Sequence, residues 1–218
     1  MSKKGQIALF VIIGIVIIVI ILLLLLFLNK QKIHDEEKLL KEKNILKDNF
    51  DSAIEQCILE NLNQGFYYSS ETPKEDALFF KYYYYFIEGK RYIPNLNRVK
   101  DEFIKCLRDK TDYTNIDINI KEENIEFILI EYFESEKIKI TLYKGVDVNE
   151  FLKVSKEIID EYEKSPDKIC LTCYDEISKK YNVKTEFTTM FKDDGGSFIL
   201  VTIQKNKNTL NFLLEYEE

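Results

Sequence analysis

The longest apolar run of the chain covers residues 7–28, 22 residues without a charged side chain, a polar side chain or a proline. As an α-helix this run would be about 33 Å long, which matches a hydrocarbon core of roughly 30 Å. A helix also satisfies its own backbone polar groups in lipid. The pattern therefore predicts that residues 1–28 form a short tail and a transmembrane anchor, with the lipid bilayer as partner of residues 7–28.

The apolar pattern changes twice after the anchor. Residues 29–48 are rich in charge with a thin apolar stripe, which predicts a helical stalk. From Phe50 to Leu62, apolar residues recur every three or four positions and include Cys57, which indicates a helix with one face in a core. Gly65 follows where a left-handed helix cap is common.

The rest of the chain alternates between helical and strand patterns. A first group comprises an aromatic strand at 78–87, a helix from Asn95 to about residue 109, and strands at 116–120, 125–132 and 138–142. A second group comprises helices from Asp147 to about 164 and from about 168 to 181, and strands at 183–191, 198–203 and 210–216. Short polar turns favour antiparallel pairing. We expect an α+β domain over residues 49–218, with a sub-boundary near 144–148.

Charge excludes one large class of partners. Of the 31 Lys and Arg residues, only Lys3 and Lys4 precede the end of the apolar run, so the remainder carries 29 basic and 38 acidic residues. This net charge of −9 disfavours nucleic acid, because phosphate binding needs clustered Lys and Arg. With 3 Pro and 7 Gly, the chain is also a poor candidate for long flexible linkers.

The four cysteines, Cys57, Cys106, Cys170 and Cys173, bear on the cellular compartment. An even number in a membrane-delivered domain fits two disulfides, and we favour Cys57–Cys106 with Cys170–Cys173 among three pairings. The alternative is four reduced thiols in the cytoplasm. The lysines that follow the anchor favour a cytoplasmic domain by the Lys/Arg rule. The cysteines favour the opposite side, and we expect the domain outside the cell.

Candidate chemistry is sparse. Cys170-Leu171-Thr172-Cys173 has the spacing of a redox motif, but a helix rather than a strand is predicted before it, so a structural disulfide is favoured. His34, the only histidine, is required for any Ser–His or Cys–His nucleophile, but it lies in the charged stalk, a poor place for one, so a solvated stalk residue is favoured. Residues 193–196, Asp-Asp-Gly-Gly, fit a hairpin turn. We expect no catalytic, cofactor-binding or metal-binding residues.

Four consecutive tyrosines, Tyr82, Tyr83, Tyr84 and Tyr85, are the best candidate for a binding surface. Alternate residues of a strand face opposite sides, so one side can join the core while the other exposes rigid, amphipathic tyrosines. The alternative is a strand buried on both sides. Periodicity does not separate the two.

The N-terminal Lys3-Lys4-Gly5-Gln6 resembles the processing site of archaeal type IV pilin-like precursors. The resemblance implies cleavage between Gly5 and Gln6 and a filament subunit whose apolar helix packs in the filament. Phe10 stands where that family usually has Glu. A signal anchor without processing is the favoured interpretation.

The segments KKGQIALFVIIGIVI, DSAIEQCILENLNQGF, YYYYFIEGKRYIPNL and DKICLTCYDEISKKYNV are together similar to a group of uncharacterised single-pass membrane proteins of DPANN archaea. The resemblance implies an anchor and a CLTC-containing α+β domain, and no activity. The expected function is a cell-envelope protein that presents a disulfide-bonded domain to a protein or surface polymer. A pilin-like filament subunit and an envelope thiol–disulfide enzyme using CLTC are the alternatives.

Overall fold

A computed structural model describes residues 3–68, 71–77, 80–133, 136–164, 170–192 and 196–216 of the chain. Side chains are described for all of these except residues 3–16, 29, 32–35, 77 and 80. The chain divides into two compact units, one ending at Asp48 and the other beginning at Asn49.

The described residues of the first unit, 3–48, are helical. Helix α1 covers Lys3–Asn63, and its residues from Asn49 onward belong to the second unit. The apolar side chains of residues 17–28 are between 48% and 68% exposed. Within the described residues, no helix has both the length and the apolar character needed to cross a membrane. The side chains of residues 7–16 lie outside the described set, and the transmembrane anchor stays a prediction.

The second unit is α+β with mostly antiparallel strands, as the sequence predicts. Its elements after α1 are β1 (Lys74–Ala77), β2 (Phe80–Ile87), β3 (Lys90–Arg91), α2 (Leu96–Lys110), β4 (Ile116–Ile120), β5 (Ile125–Phe133), β6 (Glu136–Lys144), α3 (Val148–Tyr162), α4 (Leu171–Tyr181), β7 (Lys184–Phe191), β8 (Ser197–Lys205) and β9 (Asn208–Tyr216).

Helix ends follow local side-chain chemistry. The Arg98 N–H donates to Asn95 Oδ1 at 2.9 Å at the start of α2, and the Glu150 N–H donates to Asp147 Oδ1 at 2.9 Å at the start of α3. These bonds satisfy amides that have no partner inside the helix. Asn182, with φ +50°, ends α4 in the left-handed conformation. The N-cap positions Asn95 and Asp147 agree with the predicted beginnings of these two helices.

The sheets depart from the predicted two-group arrangement. Strands β4, β5 and β6 form a three-stranded antiparallel sheet, while β1, β2, β9, β8 and β7 follow one another in a larger sheet with β3 beside β2. Strand β2 pairs with β9 in parallel, with Tyr84 opposite Leu213. Segments from both sides of residues 144–148 therefore share one sheet, a long-range pairing that local periodicity does not encode.

Both faces of the larger sheet bury apolar side chains. The face toward the helices carries Ile199, Val201, Ile203, Leu210, Phe212 and Leu214, all fully buried. The opposite face carries a second cluster of Tyr84, Phe198 and Leu213, with Tyr82, Ile87, Met190 and Leu200 packed against it. The central strands of this sheet are therefore buried on both faces.

Candidate functional site

Two disulfides join the four cysteines in the predicted pairing. Cys57 of α1 bonds Cys106 of α2 with a Cα–Cα distance of 5.8 Å, and both residues are fully buried. Cys170 bonds Cys173 with a Cα–Cα distance of 5.3 Å. The first bridge therefore joins two core helices, and the second closes the beginning of α4.

The CLTC segment forms the N-terminal turn of α4. Cys170 is the N-cap residue, and its Sγ accepts a hydrogen bond from the Cys173 N–H at 3.3 Å. Helix α3 precedes this turn among the described elements, so the strand–turn–helix context of redox proteins is not seen here. The bridge is positioned to fix the first turn of the helix.

The structure corrects the predicted tyrosine surface. Tyr83, Tyr84 and Tyr85 are 1%, 1% and 0% exposed, and Tyr82 is half-buried. Tyr85 stacks on Phe212 with a centroid distance of 4.3 Å. The prediction that these tyrosines form a binding surface is wrong because β2 lies between β1 and β9 and is buried on both faces, the alternative that the sequence left open.

The hydroxyls of the buried tyrosines have internal partners. Tyr85 donates to the Gly65 carbonyl oxygen at 2.8 Å, and Tyr84 donates to Glu75 Oε1 at 3.0 Å. Burial raises the pKa of Tyr84 to about 12, with Glu75 adding to the rise and Lys192 opposing it. These tyrosines act as core residues with satisfied polar ends.

The remaining sequence candidates fall largely outside the described residues. Gly5 and Gln6 belong to helix α1, but the side chains of Gln6 and His34 are not described. Residues 193–195 of the predicted turn also lie outside. Within the described residues, no three His, Cys, Asp or Glu side chains converge to hold a metal ion. Processing between Gly5 and Gln6 stays a prediction.

A groove between α4 and β7 is the best candidate for a contact site. Its volume is about 410 Å³, and Leu171, Tyr174, Val183, Thr185 and Phe187 are among its lining residues. Tyr174 stacks on Phe187 with a centroid distance of 4.3 Å. Ser178 Oγ lies 2.6 Å from Thr185 Oγ1. These contacts fix the floor of the groove, and Leu171 stands at its rim with 71% of its surface exposed.

The charges around this groove are balanced locally. Lys179 Nζ lies 2.5 Å from Asp175 Oδ2, and the Asp175 hydrogen bond raises the pKa of the lysine. Lys184 pairs with Glu186. Burial raises the pKa of the Tyr174 hydroxyl to about 12, so this phenol is neutral at physiological pH. The groove is thus suited to an uncharged occupant.

Strand β7 presents an open edge beside the groove. Within the described residues it pairs only with β8, so its other side carries backbone groups without a strand partner. The Lys192 N–H donates to the Gly196 carbonyl oxygen at 2.7 Å. Hydrogen-bonded and non-hydrogen-bonded pairs alternate along an antiparallel ladder. Thr185, Phe187, Thr189 and Phe191 therefore direct their backbone N–H and C=O groups toward the open edge.

Two other cavities are less suited to recognition. A cleft of about 880 Å³ includes Tyr67, Tyr92 and Arg98, but Arg98 Nη2 already lies 2.8 Å from the fully buried carboxylate of Glu102. A cavity of about 450 Å³ lies between the end of α1 and the β8–β9 turn, with Leu59 at its rim. Neither combines an apolar floor with an open strand edge.

The alternation of residues 183–191 predicts the strand but not its open edge. Edge status depends on the order of strands in the sheet, which the alternation of residues does not reveal. The run Phe187 to Phe191, five residues without a charge, was the available signal, because charged residues commonly protect edge strands.

Comparisons with protein-family models, with curated proteins and with solved structures found no match. Function is therefore inferred from the residues of this chain alone.

Proposed function

We propose that this chain is a membrane-anchored cell-envelope protein that presents a disulfide-bonded binding domain outside the cell. The α4–β7 groove and the open edge of β7 serve as its contact site. The observation that carries this proposal is the pairing of all four cysteines in two disulfides. Structural disulfides persist in oxidising compartments and are rare in the cytoplasm of mesophiles.

The core disulfide is the stronger support for an oxidising compartment. Cys57 and Cys106 face each other between α1 and α2, and each is fully buried. Two such thiols in a reducing compartment would be placed at bonding distance without forming the bond. In an exported domain the disulfide forms, and this bond then restricts the conformations of the unfolded chain.

Anchoring is supported by the sequence of residues 7–28. Their length suits a bilayer core, and their lack of charge suits hydrocarbon. Lysines flank this run on both sides, so the orientation of the chain rests on the two disulfides and not on the Lys/Arg rule. The second unit then functions outside the cell.

A protease site inserted in the stalk after Lys41 tests the location. Added protease should release the second unit from intact cells into the medium. A matched variant with the same site inserted after Ser2 should stay uncut until the cells are lysed. Cleavage of the second site and protection of the first would reverse the orientation and overturn the proposal.

A thiol–disulfide enzyme of the envelope is the second candidate. It is favoured by Cys170, whose Sγ accepts an amide hydrogen bond at the N-terminus of α4, where a thiolate is stabilised. This candidate predicts that the full chain reduces insulin in the presence of dithiothreitol faster than the Cys170→Ser variant does. Equal rates of insulin reduction by the two proteins would rule out the thiol–disulfide enzyme.

A further inference from the structure

We infer that the open edge of β7 binds β7 of a second copy of this chain. The two strands pair antiparallel with Thr188 opposite Thr188, and Phe191 of each copy fills the α4–β7 groove of the other. This inference rests on the groove assigned as contact site under the proposed function, and it is independent of the side of the membrane on which the domain lies.

Phe191 is the side chain that needs a partner. It is 75% exposed, the largest exposed fraction among the large apolar residues of the described chain. Phe187, four residues earlier in the strand, stacks on Tyr174 of α4. Alternate residues of a strand share a face, so Thr185, Phe187, Thr189 and Phe191 all lie on the face toward α4. Phe191 therefore stands on the groove side of the sheet but beyond the groove of its own copy.

The groove lies at the opposite end of the same strand. Its lining includes Val183, Lys184, Thr185 and Phe187, all at the beginning of β7. Thr185 and Phe191 are separated by about 20 Å along an extended strand. A two-fold axis at Thr188 exchanges these two ends, so Phe191 of one copy comes directly opposite Thr185 of its partner.

Backbone geometry allows this register. The residues with open-edge amides are Thr185, Phe187, Thr189 and Phe191, and the two-fold axis pairs Thr185 with Phe191 and Phe187 with Thr189. Each such pair exchanges two hydrogen bonds, which gives about eight across the contact. Opposite residues also point to the same face, so Phe191 enters the partner's groove rather than the other side of the sheet.

The side chains at the contact are compatible with a second copy. The central run from Phe187 to Phe191 has no charge. Lys184 faces Lys192 of the partner, but each lysine already has a carboxylate within its own copy, Glu186 for Lys184 and Glu75 for Lys192. Glu186 lies diagonal to Lys192 of the partner, which favours the pairing. An isologous contact of this kind closes on itself and makes a dimer.

Disulfide trapping tests the register directly. In the full-length protein in its native membranes, Thr188→Cys places two cysteines opposite each other at a non-hydrogen-bonded position, where the Cα–Cα distance of about 4.5 Å suits a disulfide. Mild oxidation should then give a covalent dimer that reductant reverses. Gln204→Cys is the matched control, because Gln204 lies on β8 opposite Lys184, away from the open edge, and this register places its two copies at least about 26 Å apart along the strands.

We expect at least about five times more dimer from Thr188→Cys than from Gln204→Cys. Phe191→Ser added to Thr188→Cys should lower the dimer yield by a similar factor. Equal yields from the two cysteine variants, or no dimer from Thr188→Cys, would overturn the inference. Both positions are exposed in the monomer, so neither variant is expected to disturb folding. A dimer trapped in a domain found inside the cell would uphold this inference while the proposed function fails.

Discussion

Gly65 shows how one residue positions the aromatic strand. It has φ +64°, and a Cβ at this position would lie 3.0 Å from the Asn211 carbonyl oxygen and 3.0 Å from Tyr85 Cε1. Its own carbonyl accepts the Tyr85 hydroxyl. Glycine is thus required by both conformation and space, where the end of α1 meets β2 and β9.

Replacing this glycine should lower the free energy of unfolding by more than the strain of a positive φ alone would. We expect Gly65→Ala to lower the free energy of unfolding by about 2–4 kcal/mol, since strain at positive φ is joined by overpacking. Gly89→Ala is the control, because Gly89 has φ +68° and a Cβ there would meet nothing within 4 Å. It should cost about 1 kcal/mol. Urea titration of both variants measures the difference, and equal midpoints would contradict this account.

The two disulfides act on different elements. The Cys57–Cys106 bridge spans 49 residues of sequence and joins two helices, whereas Cys170–Cys173 spans 3 residues within one helical turn. In the chain-entropy view, the longer loop restricts the unfolded state far more. Stability should therefore depend on the first bridge and the order of α4 on the second.

Removing each bridge should separate these effects. We expect the double variant Cys57→Ala, Cys106→Ala to lose about 4 kcal/mol of unfolding free energy, and Cys170→Ala, Cys173→Ala to lose about 2 kcal/mol. Thermal unfolding followed by circular dichroism gives both values. A larger loss from the second pair would show that the short bridge carries the fold.

Strand β2 should make the domain sensitive to alkaline pH. Burial raises the pKa of Tyr84 to about 12, above the ordinary value of 10.0. A raised pKa in the folded state means that the neutral phenol contributes its full stability below about pH 10 and loses it as pH rises toward 12. The folded domain should thus weaken over this range.

Tyr84→Phe provides the check on that assignment. The variant lacks the titrating group, so its unfolding free energy should fall less steeply between pH 10 and 12 than that of the parent. Denaturant titrations at several pH values measure this slope. Parallel curves for the two proteins would assign the alkaline loss to other groups, such as Tyr174, whose pKa burial also raises to about 12.

At the scale of the whole molecule, the sequence predicted elements better than their assembly. Asn95, Asp147 and Asn182 specify helix ends through bonds to neighbouring residues. The pairing of the four cysteines could be predicted because Cys170 and Cys173 are neighbours in the sequence. The parallel pairing of β2 with β9 joins distant segments, and it decides that Tyr83 to Tyr85 are buried. The same strand order leaves β7 at an edge, so the candidate site could not be predicted from local patterns.

The disulfide state of the protein in its membrane tests the central claim, an exported domain at the cell envelope. Cells that produce the full chain are quenched with acid, denatured and treated with a maleimide–polyethylene glycol reagent, with and without prior reduction. We expect no mass shift before reduction and four adducts after it, one for each of Cys57, Cys106, Cys170 and Cys173. Four adducts without reduction would contradict the claim, because the domain would then lie in a reducing compartment.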